Sequence, residues 1–140
     1  MFASVYRYTI QWGDCDPAGI VFYPRFSAIF DEATAYLLEV ASGMTRSELI
    51  RHYGILGWPM VSAATEFRAT ATFDDKIAVH TSVQRLGTSS MIFAHELRRG
   101  EIVCVSATET RVWSAHGTGG KPLPDSLRAR LSERNPKGAL

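Results

Sequence analysis

At 140 residues, with 46% hydrophobic and 21% charged residues, the chain has the size and composition of one globular domain with its own core. A formal net charge of +1 and a pI near 7.8 exclude any overall electrostatic pull toward nucleic acid or an anionic membrane. The two cysteines, Cys15 and Cys104, make no disulfide framework and suit a reducing compartment. With no charged leader and no bilayer-length apolar run, a cytoplasmic location is expected.

Residues 4–11 alternate (Val5, Tyr6, Tyr8, Ile10) well enough for a first strand. A Gly-, Asp- and Pro-punctuated loop follows, over 13–23. Pro24 then sits where a helix can dispense with an N–H. Phe26, Ile29, Phe30, Ala33, Leu37, Val40 and Ala41 recur at helical spacing, in a stripe wide enough for an enclosed helix, and Gly43 supplies its C-cap. Thr45 with Glu48 forms a capping box for a short helix reaching Tyr53.

After Gly57 the period changes to two. A long strand is expected over 60–73, with Val61, Ala63, Thr65, Phe67, Ala69, Ala71 and Phe73 on one face. Asp74-Asp75, 87–89 and Gly100 mark turns that separate strands over 76–86, 90–98 and 102–113. The glycine-rich stretch 117–120 reads as flexible, and 124–134 as a last short helix. Short-turned consecutive strands pair antiparallel, so the pattern specifies an α+β fold with one curved sheet against one long helix. No repeat or second domain is visible, and 1–140 forms a single domain with a flexible tail from about 114.

Several chemistries find no support. There is no phosphate-cradling GxxxxGK[ST], no GxGxxG after a strand and no GxSxG elbow. His52, His80, His95 and His116 lack ligand spacing, so no metal and no cofactor is expected. Cys15 is either a nucleophile served by a distant histidine or a small packing residue. Arg98-Arg99 and the C-terminal Arg128, Arg130, Arg134 and Lys137 read as solvated faces or as contacts to a phosphate. The two loop carboxylates, Asp14 and Asp16, also have two readings. Aspartates in turns commonly bond loop amides. Yet Pro17 restricts the backbone of Asp16, Ala18-Gly19 permits close approach of a ligand, and the loop feeds a helix start that favours developing negative charge. A carboxylate beside an oxyanion site is acyl-transfer geometry without a serine.

The run GDCDPAGIVFYPRF followed by Phe30-Asp31 resembles the 4-hydroxybenzoyl-CoA thioesterase family of the hotdog fold. The likeness extends to GWPMVS at 57–62, Phe73-Asp74-Asp75 and Glu-Thr-Arg-Val at 109–112, and so spans 8–113. It implies a sheet wrapped around the central helix, and protomers that pair into dimers and dimers of dimers. It also implies a catalytic Asp16, as nucleophile or as general base, with the Tyr23 N–H polarising the thioester carbonyl. Asp14 would be structural. Asp31 would meet a ring hydroxyl or else be a solvated helix aspartate. Gly19, Trp58, Pro59 and Met60 would line the acyl and pantetheine path.

The turn that carries cations for the CoA phosphates in the 4-hydroxybenzoyl enzyme is Gly87-Thr88-Ser89 here. Phosphate contacts at this turn would rest on hydroxyls and amides, unless Arg85, Arg98 or the C-terminal arginines contribute. The implied function is hydrolysis of an aromatic acyl-CoA to free acid and CoA, by a homo-oligomer with no nucleic-acid or membrane partner. Alternatives are a short-chain aliphatic acyl-CoA thioesterase of the same fold and a non-catalytic acyl-CoA-binding module. Hotdog dehydratases need a histidine–acid pair, and neither loop nor helix holds a histidine.

Overall fold

The alternating segments close into one antiparallel sheet in the computed structural model, which describes residues 1–117 and 119–134. Its strands are β1 (Ala3–Thr9), β2 (Met60–Phe67), β3 (Lys76–Leu86), β4 (Ser90–Arg99) and β5 (Ile102–Val112), in the spatial order β1-β3-β4-β5-β2. Two helices separate β1 from β2: α1 (Pro24–Ser42) and α2 (Arg46–Tyr53). No helix among the described residues is long and apolar enough to cross a membrane.

Helix α1 begins at Pro24 and ends where Gly43 turns left-handed (φ 74°) and donates its N–H to the Glu39 carbonyl at 2.8 Å. Its wide stripe buries Phe26, Ile29, Phe30, Ala33, Leu37, Leu38 and Ala41. Against it lie Ile77, Val79, Val83, Met91, Phe93, Leu97 and Val105 of the sheet, all buried. Each such side chain contributes ~1.5–3 kcal/mol by leaving water, so this interface is the main source of stability. Helix α2 opens with the expected capping box, Glu48 N–H to Thr45 Oγ1 at 3.2 Å and Thr45 N–H to Glu48 Oε2 at 3.0 Å.

Two segments differ from the sequence pattern. The strand expected over 60–73 ends at Phe67, because the N–H groups of Arg68 and Ala69 both converge on the Cys104 carbonyl. One acceptor serving two successive donors stops the ladder, and the chain turns away from β5. Residues 69–73 pair instead with the loop after β1: Val21 N–H donates to the Ala71 carbonyl at 2.9 Å, and Ile20 bridges Thr72. The irregular half of the segment thus holds the loop. The second difference is at the C-terminus. The chain from 114 does not trail free over its described residues: β6 (Ser114–Ala115) pairs with β7 (Gly119–Gly120), and α3 (Asp125–Ser132) follows. Leu123, Leu127 and Leu131 sit at helical spacing and are buried in the core that holds Phe2 and Trp113. Residue 118 of the expected flexible stretch, and Lys137, lie outside the described residues.

Leu131→Ala, at a fully buried position, is therefore expected to lose ~2–5 kcal/mol of stability. Urea unfolding of the full chain measures this loss; a loss below ~0.5 kcal/mol would show that α3 is dispensable to the core.

Candidate active site

The loop after β1 is built on a carboxylate that it buries. A 3-10 turn at Trp12–Asp14 aims Asp14 inward, where it is 1% exposed. Its Oδ2 accepts from Tyr8 Oη at 2.6 Å and from the Gln11 N–H at 2.8 Å. Its Oδ1 accepts from Arg25 Nε at 3.0 Å and Nη2 at 2.9 Å. Burial alone would raise the Asp14 pKa, but the bonds from Tyr8, the Gln11 amide and Arg25 outweigh it and hold the carboxyl below the usual range. The partner effect pushes Tyr8 up to about 12, through burial first and the Asp14 bond second. Asp14 thus pins strand β1, the loop and the first turn of α1 together.

Beyond this anchor the loop makes a small hairpin. Cys15 bridges Val21, the Asp16 N–H donates to the Ile20 carbonyl at 3.0 Å, and the Gly19 N–H returns to the Asp16 carbonyl at 2.9 Å. Gly19 has φ 81° with open space where a Cβ would stand, so backbone conformation alone asks for glycine. Asp16, half-buried, accepts at Oδ1 from the Ala18 N–H at 2.8 Å. That is the only hydrogen bond its side chain makes among the described residues, so Oδ2 is free.

On the returning arm, Phe22 N–H is taken by the Asp14 carbonyl at 2.9 Å and Tyr23 becomes the N-cap of α1. Tyr23 is 65% exposed, and its N–H makes no hydrogen bond to a described residue. Pro24 has no N–H, so the Tyr23 amide stands alone at the positive end of the helix. A cleft of 300 Å³ opens beside it, lined chiefly by Ile20, Val21, Tyr23, Phe26, Phe67 and Ala71.

The other expected site residues lie in two further places. Asp31, on α1, borders a 270 Å³ cleft together with Arg46, Trp58, Pro59 and Arg111. Trp58 is buried, stacks on Trp113 at 6.1 Å and carries the Arg46 guanidinium over its ring at 5.7 Å. Pro59 is exposed and Met60 is 39% exposed. The Gly87-Thr88-Ser89 turn is held by its carbonyls. Trp113 N–H donates to Ser89 at 2.8 Å, Leu123 N–H to Thr88 at 2.9 Å, and Arg128 Nη2 to both Gly87 and Thr88. Thr9 pairs with Lys76 at the start of β3, whereas the turn follows Leu86 at its end. Within one chain, loop and turn therefore stand at opposite ends of the sheet.

Asp31 is not a solitary helix aspartate. Its Oδ1 accepts from Arg111 Nη1 at 2.8 Å and its Oδ2 from Arg46 Nη2 at 2.9 Å. Burial raises its pKa, but the two guanidinium bonds prevail and the net shift is downward. Arg111, 4% exposed, also donates from Nη2 to Glu109 Oε2 at 3.0 Å. Glu109 Oε2 lies 3.5 Å from His95 Nε2, the ring of which stacks on Phe30 and bonds Thr81 Oγ1 through Nδ1 at 2.8 Å. Burial opposes the Glu109 charge; the His95 bond and Arg111 overcome it and lower its pKa. In sequence Arg46 looks like any helix-surface arginine, His95 is one of four histidines without ligand spacing, and Glu109 and Arg111 stand out only within the segment 109–112. One signal was available: in β5 the buried phase runs Val105, Ala107, Glu109, Arg111 and Trp113, with two charges where apolar residues belong.

Against known proteins, residues 10–131 match the family model described as thioesterase-like superfamily. The chain belongs to that superfamily. It is a thioester hydrolase with the hotdog fold. The 4-hydroxybenzoyl-CoA thioesterase of Pseudomonas sp. (strain CBS-3) is 32% identical over 111 residues, which are 75% of this chain and 78% of that one. A 1,4-dihydroxy-2-naphthoyl-CoA hydrolase of Nostoc punctiforme (strain ATCC 29133 / PCC 73102) is 26% identical over 137 residues, 96% of this chain and 91% of that protein. Among solved structures, a gentisyl-coenzyme A thioesterase superposes with a TM-score of 0.84 at 35% identity, over 92% of this chain and 100% of its own. In this thioesterase the hotdog sheet curls around α1, and the anchored loop caps the helix's N-terminal end.

The lowered carboxylates give a pH dependence with a definite sign. A carboxyl whose folded pKa lies below its unfolded value stabilises fully above the latter, near pH 4, and the contribution is lost as pH falls toward the folded value. The carboxylates therefore add no slope above about pH 5 and a steep loss below about pH 4.5, whereas the depressed His80 pKa adds a shallow loss that starts as pH falls through about 6.5. Glu109→Gln should be less stable at neutral pH, yet lose less between those conditions and acid. Urea midpoints across pH test this; parallel curves for the two proteins would remove Glu109 from the titration.

Proposed function

We propose that this thioesterase hydrolyses an aromatic acyl-CoA, releasing the free acid and CoA, with Asp16 and the Tyr23 amide as its catalytic groups. The observation that carries the reading is an Asp16 oxygen without a partner among the described residues, in the loop that leads to a Tyr23 N–H likewise without one at the start of α1. Asp14 leaves Asp16 available, since the buried carboxylate and the strip after Phe67 anchor the loop. As nucleophile, an Asp16 oxygen attacks the carbonyl carbon, the oxyanion forms against the Tyr23 N–H, and collapse expels the CoA thiolate to leave a mixed anhydride that water opens. As general base, Asp16 takes a proton from the attacking water and the same amide holds the oxyanion.

The aromatic acyl group is supported by the names of the relatives, which specify hydroxybenzoyl, gentisyl and dihydroxynaphthoyl thioesters. Trp58, Pro59 and Met60 would face the acyl group and the pantetheine, with Gly19 beside the thioester. Asp31, kept anionic by Arg46 and Arg111, would accept a hydrogen bond from a ring hydroxyl. Gly87, Thr88 and Ser89 would meet the CoA phosphates. Arg128 would add the cation that the turn itself lacks.

The separation of loop and turn argues that two copies complete one site. Strand β2 is the sheet edge suited to pairing with a second copy, since Val61 is 62% exposed, Phe67 55% and Met60 39%. The working enzyme would then be a dimer, or a dimer of dimers.

Asp16→Asn should keep the fold and bind substrate within a few-fold, while kcat falls ~10²–10⁴-fold. Near-normal turnover would reject the mechanism, and tight binding without turnover in the unmutated chain would favour a binding module. Equal kcat/KM on butyryl-CoA and benzoyl-CoA would reject the aromatic reading in favour of the aliphatic one. Asp31→Asn should shift preference among ring-hydroxylated benzoyl-CoAs more than it slows the unsubstituted ester. Light scattering should give a mass of two or four chains; a monomer at micromolar concentration would sink the shared site.

A further inference from the structure

The outer face of the sheet, turned away from α1, carries a concentration of positive charge that hydrolysis does not use. Ala78 on β3 pairs with Arg7 on β1 and with Arg98 on β4, so the two arginines flank an alanine in one row across three strands. Lys76 and His80 lie two residues to either side of Ala78, on the same face of β3. Together they border a groove of 420 Å³ that runs up to Gly100. Its counter-charge is meagre. Arg98 Nε donates to Glu96 Oε2 at 3.1 Å, but Arg7 and Lys76 make no ion pair or side-chain hydrogen bond to any described residue. The His80 pKa is depressed by burial chiefly and then by Arg98; Glu96 opposes, and Arg7 adds the smallest contribution.

Like charges placed side by side on a sheet are destabilising. Three cations around an alanine, with one carboxylate among them, therefore leave a cost that a bound anion would offset. Size and spacing select the anion. Strands stand ~4.8 Å apart, so the arginine stems straddle a gap of ~10 Å, wider than one carboxylate spans. Arginine forks and a lysine point charge suit phosphate oxygens. The net charge of +1 offers no track for a nucleic acid.

We propose that this groove is a phosphate-binding site for a diphosphate-bearing nucleotide, separate from the Gly87–Ser89 turn. The ligand has two possible sources: a free nucleoside diphosphate, or the nucleotide end of a CoA molecule, the latter resting on the thioesterase reading above.

Calorimetric titration of the intact protein with ADP, CoA and inorganic pyrophosphate tests the site without turnover, so its outcome is independent of whether Asp16 is catalytic. The unmodified chain should bind at least one of them, and affinity should fall as salt rises. Replacing both cations (Arg7→Gln with Lys76→Gln) should weaken binding about tenfold or more, with a melting temperature no lower than that of the unmodified chain, since neither side chain has a partner to lose among the described residues and like-charge repulsion is relieved. Lys76→Met alone, at an exposed position, should weaken it about threefold and serves if the double variant does not fold. Arg51→Gln, on the exposed side of α2, should change nothing.

Absence of binding, or equal affinity in the unmodified chain and the Arg7/Lys76 variants, overturns the proposal, as does an equal loss in Arg51→Gln. Kinetics then separates the sources. A raised KM for acyl-CoA, with kcat and the KM for an acyl-pantetheine thioester unmoved, assigns the groove to CoA. An unmoved acyl-CoA KM beside lost ADP binding assigns it to a free nucleotide.

Discussion

The Arg111 guanidinium is the point on which helix and sheet are indexed to one another. Hydrophobic contact drives α1 into the sheet but is non-directional, and a cylinder with a wide apolar stripe can settle at several rotations. Arg111 removes that freedom. It reaches from β5 to Asp31 on the helix while Glu109 grips it from below, and its planar fork tolerates few other geometries. Losing Arg111 would leave the buried Glu109 carboxylate without its guanidinium, a loss of ~3–5 kcal/mol. The network therefore specifies the arrangement more than it adds to net stability. With the rotation of α1 fixed, so is the direction in which its N-terminus and the Tyr23 amide point.

The same logic recurs at smaller scale in the loop. A segment rich in glycine, proline and aspartate has little apolar area to bury, so its shape must come from polar bonds. Asp14 supplies them by collecting donors from β1, from the loop and from α1. The lower arm of the loop is then held by the strip after Phe67, released from the sheet where two amides compete for the Cys104 carbonyl. Sheet, strip, loop and helix start form one mechanical unit.

Much of the fold could be read from the residues because it depends on near-neighbour rules. Pro24 and Gly43 bounded the long helix, Thr45 and Glu48 the short one, and alternation marked the strands. What escaped depended on partners distant in sequence. Nothing within residues 60–73 announces that Cys104 will arrest the strand at Phe67, since the competing acceptor lies on β5. In the tail the last helix is legible from 124–134, but not where it packs: glycines at 117, 119 and 120 suggest freedom, whereas Leu123, Leu127 and Leu131 give a short signal whose partners, Phe2 and Trp113, are far away. In the site, the loop motif pointed to Asp14 and Asp16. The ion pairs that make Asp31 an anion stayed hidden because Arg46 looks like any helix-surface arginine. Only the misplaced charges of β5 hinted at Arg111.

The division of labour between the two loop aspartates carries an evolutionary consequence. Where one side chain must both shape a loop and react, a change of chemistry brings structural collapse, and the lineage is confined. Here Asp14 bears the structural duty, and among the described residues Asp16 spends one side-chain hydrogen bond on local order. Position 16 is therefore open to replacement in a backbone that stays put. With Asp16 as the reacting group, as proposed, the scaffold could shed its reaction and survive as a folded receptor, then acquire another reaction at the same helix end. On that proposal, its capacity for new chemistry resides in the aspartate that does none.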